Sequence, residues 1–314
     1  MLTRRHIRVK VMQSLYAIEQ TQKDDFAKEE KFLLYSLNQM YELFIIQLQL
    51  LVEIRKHAEN IQNLEKKKHL ATEADINPNR RFVDNPILQI LSINKELKQY
   101  IERKKLNYWD LDDEYVRILW REIKESSYYK EYMEAPETSF KKDQQFIIDI
   151  FRNIVAPNEK LYDYLEDKRL TWIDDLPLVN TNIIKFFKKI KPKHTEELKL
   201  PSLYKDMEDE SFARLIFKKT TLNGVEYAKE IEGRTPNWDK DRIAELDKAV
   251  IKMAICEFTQ FPSIPVKVTI NEYLEIAKEY STPKSSIFIN GILDKISKEY
   301  EMDGKLNKIG RGLM

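Results

Sequence analysis

Residues 246–296 decide the fold, and they read LDKAVIKMAICEFTQFPSIPVKVTINEYLEIAKEYSTPKSSIFINGILDKI. Apolar residues recur here every three or four positions, and two short proline-containing turns interrupt them. This spacing predicts three amphipathic helices that bury a common core. One face of each predicted helix carries an apolar triplet: Ile251, Ile255 and Phe258 in the first, Ile270, Leu274 and Ala277 in the second, and Phe288, Ile292 and Ile296 in the third.

The same helical spacing recurs along the rest of the chain, so we predict an all-α protein. All six glycines lie at or after Gly224, which excludes a glycine-rich phosphate loop or a nucleophile elbow from the first 223 residues. Polar, proline-containing stretches at 70–85 and 191–205 are the expected connections. The predicted helices cover residues 4–20, 28–68, 86–106, 111–127, 138–154, 158–168, 178–190, 206–221, 224–232, 239–260, 266–280 and 284–299.

Composition limits the possible functions. The chain has 53 Lys and Arg against 52 Asp and Glu, so a polyanionic partner must be bound by a local basic patch. Cys256 is the only cysteine and the four histidines lack ligand spacing, so we expect no disulfide, metal site or cofactor. We find neither a targeting signal nor an apolar run long enough to span a membrane, and therefore expect a cytoplasmic protein.

A basic patch opens the first predicted helix, in the stretch TRRHIRVK, and no acidic residue precedes Glu19. On a helix, an apolar stripe through Ile7 and Val11 can dock while the guanidinium groups face solvent. Arginine suits an RNA surface because its planar fork pairs with phosphate oxygens and stacks on unpaired bases. A solvated basic helix end is the alternative interpretation. The patch consists of Arg4, Arg5, Arg8 and Lys10.

The C-terminal segment closely resembles the NusB family of transcription antitermination proteins. That family typically reads P-x-K-V-x-I-N-E, then E-x-A-K, then S-x-x-F-x-N-G-x-L-D-K, after an N-terminal R-R-x-x-R-x-x-x-x-Q-x-L-Y. The resemblance covers about residues 1–20 and 206–299. The matching residues are Arg4, Arg5, Arg8, Gln13, Leu15, Tyr16, Pro265, Lys267, Val268, Ile270, Asn271, Glu272, Glu275, Ala277, Lys278, Ser285, Phe288, Asn290, Gly291, Leu293, Asp294 and Lys295.

The resemblance implies two packed helical bundles, no catalysis, and binding of a boxA-like single-stranded RNA together with NusE, a small-subunit ribosomal protein. It further implies antitermination in ribosomal RNA operons, with an indirect link to the RNA polymerase elongation complex. Asp247 matches an acidic position that the family uses toward NusE. The implied RNA-binding residues are Arg4, Arg5, Arg8, Lys10, Gln13, Lys278, Lys284, Ser285 and Phe288.

Some of these positions have a second interpretation. Lys284 stands where the family commonly has an acidic residue, and Ser286-Ile287 replaces a frequently polar or basic pair. The resemblance therefore does not fix which RNA bases this part of the chain recognises. Phe288 is either a stacking ring or a core residue. Asp247 is either a partner contact or a surface carboxylate without a role. The run KFFKKIKPKHTEELK either extends an RNA path or is a solvated helix end.

Relative to the family pattern, we predict four parts: the first helix at 1–20, a helical insertion at 21–205, a C-terminal bundle at 206–300 and a flexible tail at 301–314. Within the insertion, residues 146–175 align with 212–241 after a shift of 66, which places Trp172 on Trp238 and Asp175 on Asp241. Two interpretations of this alignment stay open: a degenerate duplicated bundle in 138–190, or chance matching of two amphipathic helical segments.

Two other functions compete with RNA binding. NusB-like domains also precede a ribosomal RNA cytosine methyltransferase, but such an enzyme needs a glycine-rich cofactor site and catalytic cysteines after the domain. Because the residues after 300 contain neither, we expect no enzyme. The other rival is a helical protein-interaction scaffold whose RNA site has decayed.

Overall fold

The computed structural model describes residues 1–21, 25–234 and 243–313. Helices and the connections between them make up these ranges, and none of the described residues is in a strand, so the predicted all-α class is confirmed. The helices are α1 Arg4–Thr21, α2 Phe26–Glu65, α3 Glu73–Ile76, α4 Pro86–Ile93, α5 Lys95–Lys104, α6 Tyr108–Leu111, α7 Glu114–Glu125, α8 Ser127–Glu134, α9 Phe140–Ile150, α10 Glu159–Lys168, α11 Leu176–Lys189, α12 Met207–Leu222, α13 Gly224–Glu232, α14 Glu245–Gln260, α15 Val266–Tyr280 and α16 Ser285–Met302.

The chain forms two compact units. We call residues 38–202, with Met1, the middle unit, and residues 2–37 together with 203–314 the terminal unit. The long helix α2 contributes residues to both units. The helical insertion expected at 21–205 remains a prediction; the middle unit covers 38–202 of that range.

Aromatic side chains form much of the core of the middle unit. The indole of Trp172 is fully buried and donates a hydrogen bond to the carbonyl oxygen of Gln39, 2.9 Å away. The indole of Trp109 donates to the carbonyl oxygen of Ile46 at 2.7 Å. A buried indole N–H requires an acceptor, and both acceptors here are carbonyl groups of α2. Each contact therefore holds a short helical segment against α2.

The predicted helix 86–106 is broken into α4 and α5 at Asn94. The side-chain oxygen of Asn94 accepts a hydrogen bond from the Leu97 amide, and its amide group donates to the Leu198 carbonyl. The Asn94 side chain therefore caps the start of α5 and also satisfies the distant Leu198 carbonyl, and these two hydrogen bonds account for the break between α4 and α5. At the end of α5, Lys105 adopts a left-handed conformation with φ of 54°, in a region of the chain without glycine.

In the terminal unit, α1 packs against α12, α14 and α15, while α14, α15 and α16 pack against one another. The apolar face predicted for α14 is confirmed, since its three predicted residues are buried. The face predicted for α15 is wrong at two positions: Ile270 and Leu274 are only half-buried, and Thr269 and Tyr273 are buried instead. Both of these hydroxyl groups face a buried carboxylate, which apolar periodicity does not reveal.

The third predicted face is confirmed at Ile292 and Ile296, whereas Phe288 is half-buried. Beyond α16, the segment expected to be a flexible tail makes specific contacts. The Lys308 ammonium donates to the carbonyl oxygens of Glu257 and Phe261 at 3.1 and 3.0 Å. Burial lowers the pKa of Lys308 to about 8. These contacts satisfy carbonyl groups at the C-terminal end of α14.

The predicted duplication remains a prediction. The two aligned segments have a similar order of helices: α9 with its π-helical extension Phe151–Val155 and then α10 in the middle unit, and α12 and then α13 in the terminal unit. A further helix follows each segment, α11 after the first and α14 after the second. Buried phenylalanines occupy aligned positions, with Phe151 in one segment and Phe217 in the other. Trp238 and Asp241 lie outside the described residues.

Candidate nucleic-acid interface

Helix α1 is held by its apolar residues and carries its arginines toward the C-terminal helices. Ile7 and Val11 are fully buried, as the predicted stripe requires. Val9 and Met12 are buried as well, so α1 lies deeper in the terminal unit than a helix with one docked face. The basic residues of α1 therefore meet α12, α14 and α15.

Arg8 is not available at the surface. Its side chain is 3% exposed, and its Nε and Nη2 atoms each donate to a carboxylate oxygen of Glu257 at 2.8 Å. Its guanidinium also lies 5.2 and 5.7 Å from the ring centres of Phe212 and Tyr273. Burial opposes the charge of Arg8, but the attraction of Glu257 outweighs it and raises the pKa of Arg8.

Glu257 lies at the centre of this buried cluster. Besides Arg8, it accepts hydrogen bonds from the hydroxyl groups of Thr269 at 2.7 Å and Tyr273 at 3.3 Å. Burial, followed by the nearby charge of Glu257, raises the pKa of Tyr273 well above its usual value, so its hydroxyl remains a donor. The cluster joins α1, α14 and α15 through a fully satisfied carboxylate.

Arg5 lies at the edge of the same cluster and is 40% exposed. Its Nε and Nη2 atoms donate to the two carboxylate oxygens of Glu272 at 3.0 and 2.7 Å. The hydrogen bond from Arg5 lowers the pKa of Glu272. One turn further along α15, Glu275 pairs with Lys278 at 2.6 Å. From Arg5 along the exposed side of α15, the order of charges is therefore one cation, two carboxylates and one cation.

Arg4 pairs with the start of α12. Its Nε lies 3.0 Å from a carboxylate oxygen of Asp209, and its Nη2 lies 3.3 Å from Glu208. The guanidinium also lies 5.3 Å from the ring centre of Phe212. The three arginines lack acidic neighbours in the sequence, but each has a carboxylate partner in the structure. The expectation that their guanidinium groups all face solvent is wrong for Arg8, because Glu257 and two aromatic rings enclose it.

The other predicted RNA-binding residues differ in exposure. Lys10 is buried and Gln13 is half-buried on α1. Ser285 is buried, and its hydroxyl lies 2.9 Å from those of Ser281 and Thr282. Around α16, Lys284 is exposed and Phe288 is half-buried, whereas Lys278 on α15 is 60% exposed.

Asp247, the predicted partner-binding residue, is 4% exposed and accepts a hydrogen bond from the Ser281 hydroxyl at 2.6 Å. This contact ties the start of α14 to the turn between α15 and α16. The sequence reasoning missed the structural role of Glu257. Its position within the apolar run MAICEF was a usable signal, because an acidic residue on a buried helix face needs cationic or hydroxyl partners.

Comparison with known proteins gives the family. Residues 186–298 match the family model described as NusB family. Transcription antitermination protein NusB of Salinibacter ruber is 40% identical over 112 residues, which cover 36% of this chain and 70% of that protein. The chain belongs to the NusB family.

Other NusB relatives agree. The protein of the same name from Koribacter versatilis is 40% identical over 103 residues, covering 32% of this chain and 70% of the relative. That of Chloroherpeton thalassium is 40% identical over 109 residues, covering 35% of this chain and 52% of the relative. No solved structure matches the chain. The matched residues begin within α11 and end within α16, so the region before them is additional to the NusB match.

Two further properties concern the described ranges. No helix there combines the length and apolar character needed to cross a membrane. Nor do any three His, Cys, Asp or Glu side chains of the described residues lie together in an arrangement suited to a metal ion.

Proposed function

We propose that this NusB-family chain is an RNA-binding transcription antitermination factor. It binds a boxA-like single-stranded RNA together with NusE and promotes ribosomal RNA transcription, with the RNA polymerase elongation complex as an indirect partner and the cytoplasm as its location. The observation that carries the proposal is the 40% identity to relatives named transcription antitermination proteins. The matched region includes α12, α14 and α15, against which the basic α1 packs.

The geometry supports different roles for the basic residues. Exposed ion pairs contribute only about 0–1 kcal/mol, so phosphate oxygens can replace a carboxylate at Arg5 or Lys278 at small cost. Arg8 cannot exchange its partner in this way, because separating a buried pair leaves an uncompensated charge. We therefore assign phosphate contact to Arg5, to Lys278 and to the Nη2 atom of Arg4, whose partner Glu208 is exposed, and the positioning of α1 to Arg8.

The start of α16 extends this proposed surface. Lys284 is exposed immediately before the helix, and the ring of Phe288 is half-buried one turn into it. An ammonium group suits a phosphate, and a partly exposed ring can stack on an unpaired base for about 1–3 kcal/mol. Ser285, Lys10 and Asp247 are buried, and in the proposal they hold the backbone beside the RNA-binding surface. Asp247 then contributes to NusE binding indirectly, by fixing the turn between α15 and α16 through Ser281.

Fluorescence anisotropy with a labelled boxA-like RNA, with and without NusE, tests the proposal. We expect NusE to tighten binding, and R5A and K278A each to weaken it and to reduce the log–log salt slope by about 0.7. K298A is the matched control, because Lys298 is 68% exposed and pairs with Asp294 on its own helix, as Lys278 pairs with Glu275. Absence of RNA binding with and without NusE would contradict the proposal and favour the protein-interaction scaffold.

A further inference from the structure

The end of α11 and the residues after it carry a basic surface that the proposed function does not use. We call this surface the lysine face; all of its side chains are exposed. None of its ammonium groups forms an ion pair with a described residue. The lysine face consists of Lys185, Lys188, Lys189, Lys191 and Lys193.

The backbone beneath the lysine face is firmly held. Phe187 is fully buried and Ile190 nearly so, which anchors the opposite side of the helix end. The side-chain amide of Gln144 on α9 donates to the carbonyl oxygens of Phe187 and Ile190 at 2.7 and 2.9 Å. His194 Nδ1 accepts a hydrogen bond from the Lys191 amide at 2.9 Å. The lysines therefore project from a fixed backbone.

Stabilisation of the helix end explains only part of this charge. Lysines in a last turn interact favourably with the helix dipole, typically by 0.3–1 kcal/mol, and this applies to Lys188 and Lys189. Lys185 lies one turn earlier on the same side, and Lys191 and Lys193 lie beyond the helix. The distinguishing feature is the concentration of five lysines within residues 185–193, since a single exposed lysine such as Lys124 also lacks an ion pair with a described residue.

A second element adds to the same surface. Lys141 lies in the first turn of α9, three residues before Gln144, and is exposed. Because Gln144 contacts the end of α11, the first turn of α9 lies beside the lysine face. Lys141 therefore increases the positive charge at this site.

We propose that the lysine face binds the phosphate backbone of single-stranded RNA without reading its sequence. Uncompensated ammonium groups on a fixed backbone suit a polyanion, because they release condensed counterions without first losing an internal partner. Phe186 and Phe187, the phenylalanines of the run, are buried and offer no surface on which bases can stack. The inference rests on the proposed function for the class of its ligand, which is single-stranded RNA.

The test compares K185Q/K188Q/K189Q with the control K124Q/K130Q/K160Q, which removes the same charge from exposed lysines elsewhere in the middle unit. Binding of a long labelled oligouridylate is measured in the full chain from about 50 to 200 mM salt. In a plot of log affinity against log salt concentration, we expect the slope of the lysine-face variant to be less steep than that of wild type by about 2, since about 0.7 is lost per phosphate contact. The slope of the control variant should stay near that of wild type. Equal slopes in the two variants would overturn the inference.

Two further arms separate this inference from the proposed function. A short boxA-like RNA, with NusE, tests the proposed function alone: if it does not bind while the oligouridylate slopes still differ, the lysine face stands and the boxA proposal fails. If the short RNA binds while the oligouridylate slopes of the two variants are equal, the proposed function stands and the inference about the lysine face fails. Pelleting with phosphatidylglycerol vesicles tests a membrane surface, and binding of these vesicles without binding of oligouridylate would also overturn the inference.

Discussion

The arginines of α1 and the lysine face look alike in the sequence and differ in the structure. Both are runs of cations without an acidic neighbour nearby. In the structure, Arg4, Arg5 and Arg8 each meet a carboxylate from a distant part of the chain, whereas the lysine face meets none among the described residues. Local charge therefore does not decide whether a basic segment holds the fold together or remains available for a partner.

The chemistry of the two side chains fits this division. A guanidinium group is planar and weakly hydrated, so it can form a bidentate pair in a buried site, as Arg8 does with Glu257. An ammonium group is strongly hydrated and resists burial, which suits an exposed contact with phosphate.

The largest effect is expected from breaking the buried pair. E257Q leaves the Arg8 charge largely uncompensated, and R8A does the same to Glu257, so each should lower the free energy of unfolding by about 3–5 kcal/mol. Guanidinium chloride unfolding followed by circular dichroism measures this loss. The double variant R8A/E257Q should lose clearly less than the sum of the single losses. A loss below about 1 kcal/mol in both single variants would show that Arg8 does not anchor α1.

A smaller effect is expected at the edge of the cluster. Arg5 is partly exposed, so solvent screens its pair with Glu272, and R5A should cost no more than about 1 kcal/mol. The same unfolding measurement applies, with K298A as an exposed ion-pair control. If R5A were as destabilising as R8A, the distinction between anchoring and exchangeable arginines would be lost.

The pH dependence of stability should follow from the same pair. Arg5 lowers the folded-state pKa of Glu272, so this group stabilises the fold above its unfolded pKa, near 4.5. That contribution disappears as the pH falls from this value through the lowered folded pKa. E272Q should therefore lose less stability than wild type on acidification through this window. Identical acid profiles of the two proteins, measured by urea unfolding, would contradict the assignment.

The smallest effect on stability is expected at the lysine face. K185Q/K188Q/K189Q removes exposed charges that have no ion-pair partner among the described residues, and only Lys188 and Lys189 lie in the last turn of α11. Each substituted residue should therefore change the free energy of unfolding by no more than about 0.5 kcal/mol, the smallest effect per residue in this series. Thermal unfolding beside K124Q/K130Q/K160Q measures this. A loss of several kcal/mol confined to the lysine-face variant would identify these lysines as structural residues.

Sequence periodicity predicted the bounds of the C-terminal helices well, but not, for every helix, which side is buried. The predicted segments 239–260, 266–280 and 284–299 correspond closely to α14, α15 and α16 over the described residues. The buried side of α15 was predicted incorrectly because Thr269 and Tyr273 are buried through hydrogen bonds to Glu257. The break at Asn94 was missed because the Leu198 carbonyl that its side chain contacts is distant in the sequence.

Local apolar spacing and residue motifs were enough to predict the all-α class, the three C-terminal helices and the resemblance to NusB. Which cations are neutralised depends instead on contacts between distant parts of the chain. An ion pair such as Arg8 with Glu257 joins residues that are 249 positions apart. Coulombic attraction depends on distance in space and on burial, and neither quantity can be read from neighbours along the chain.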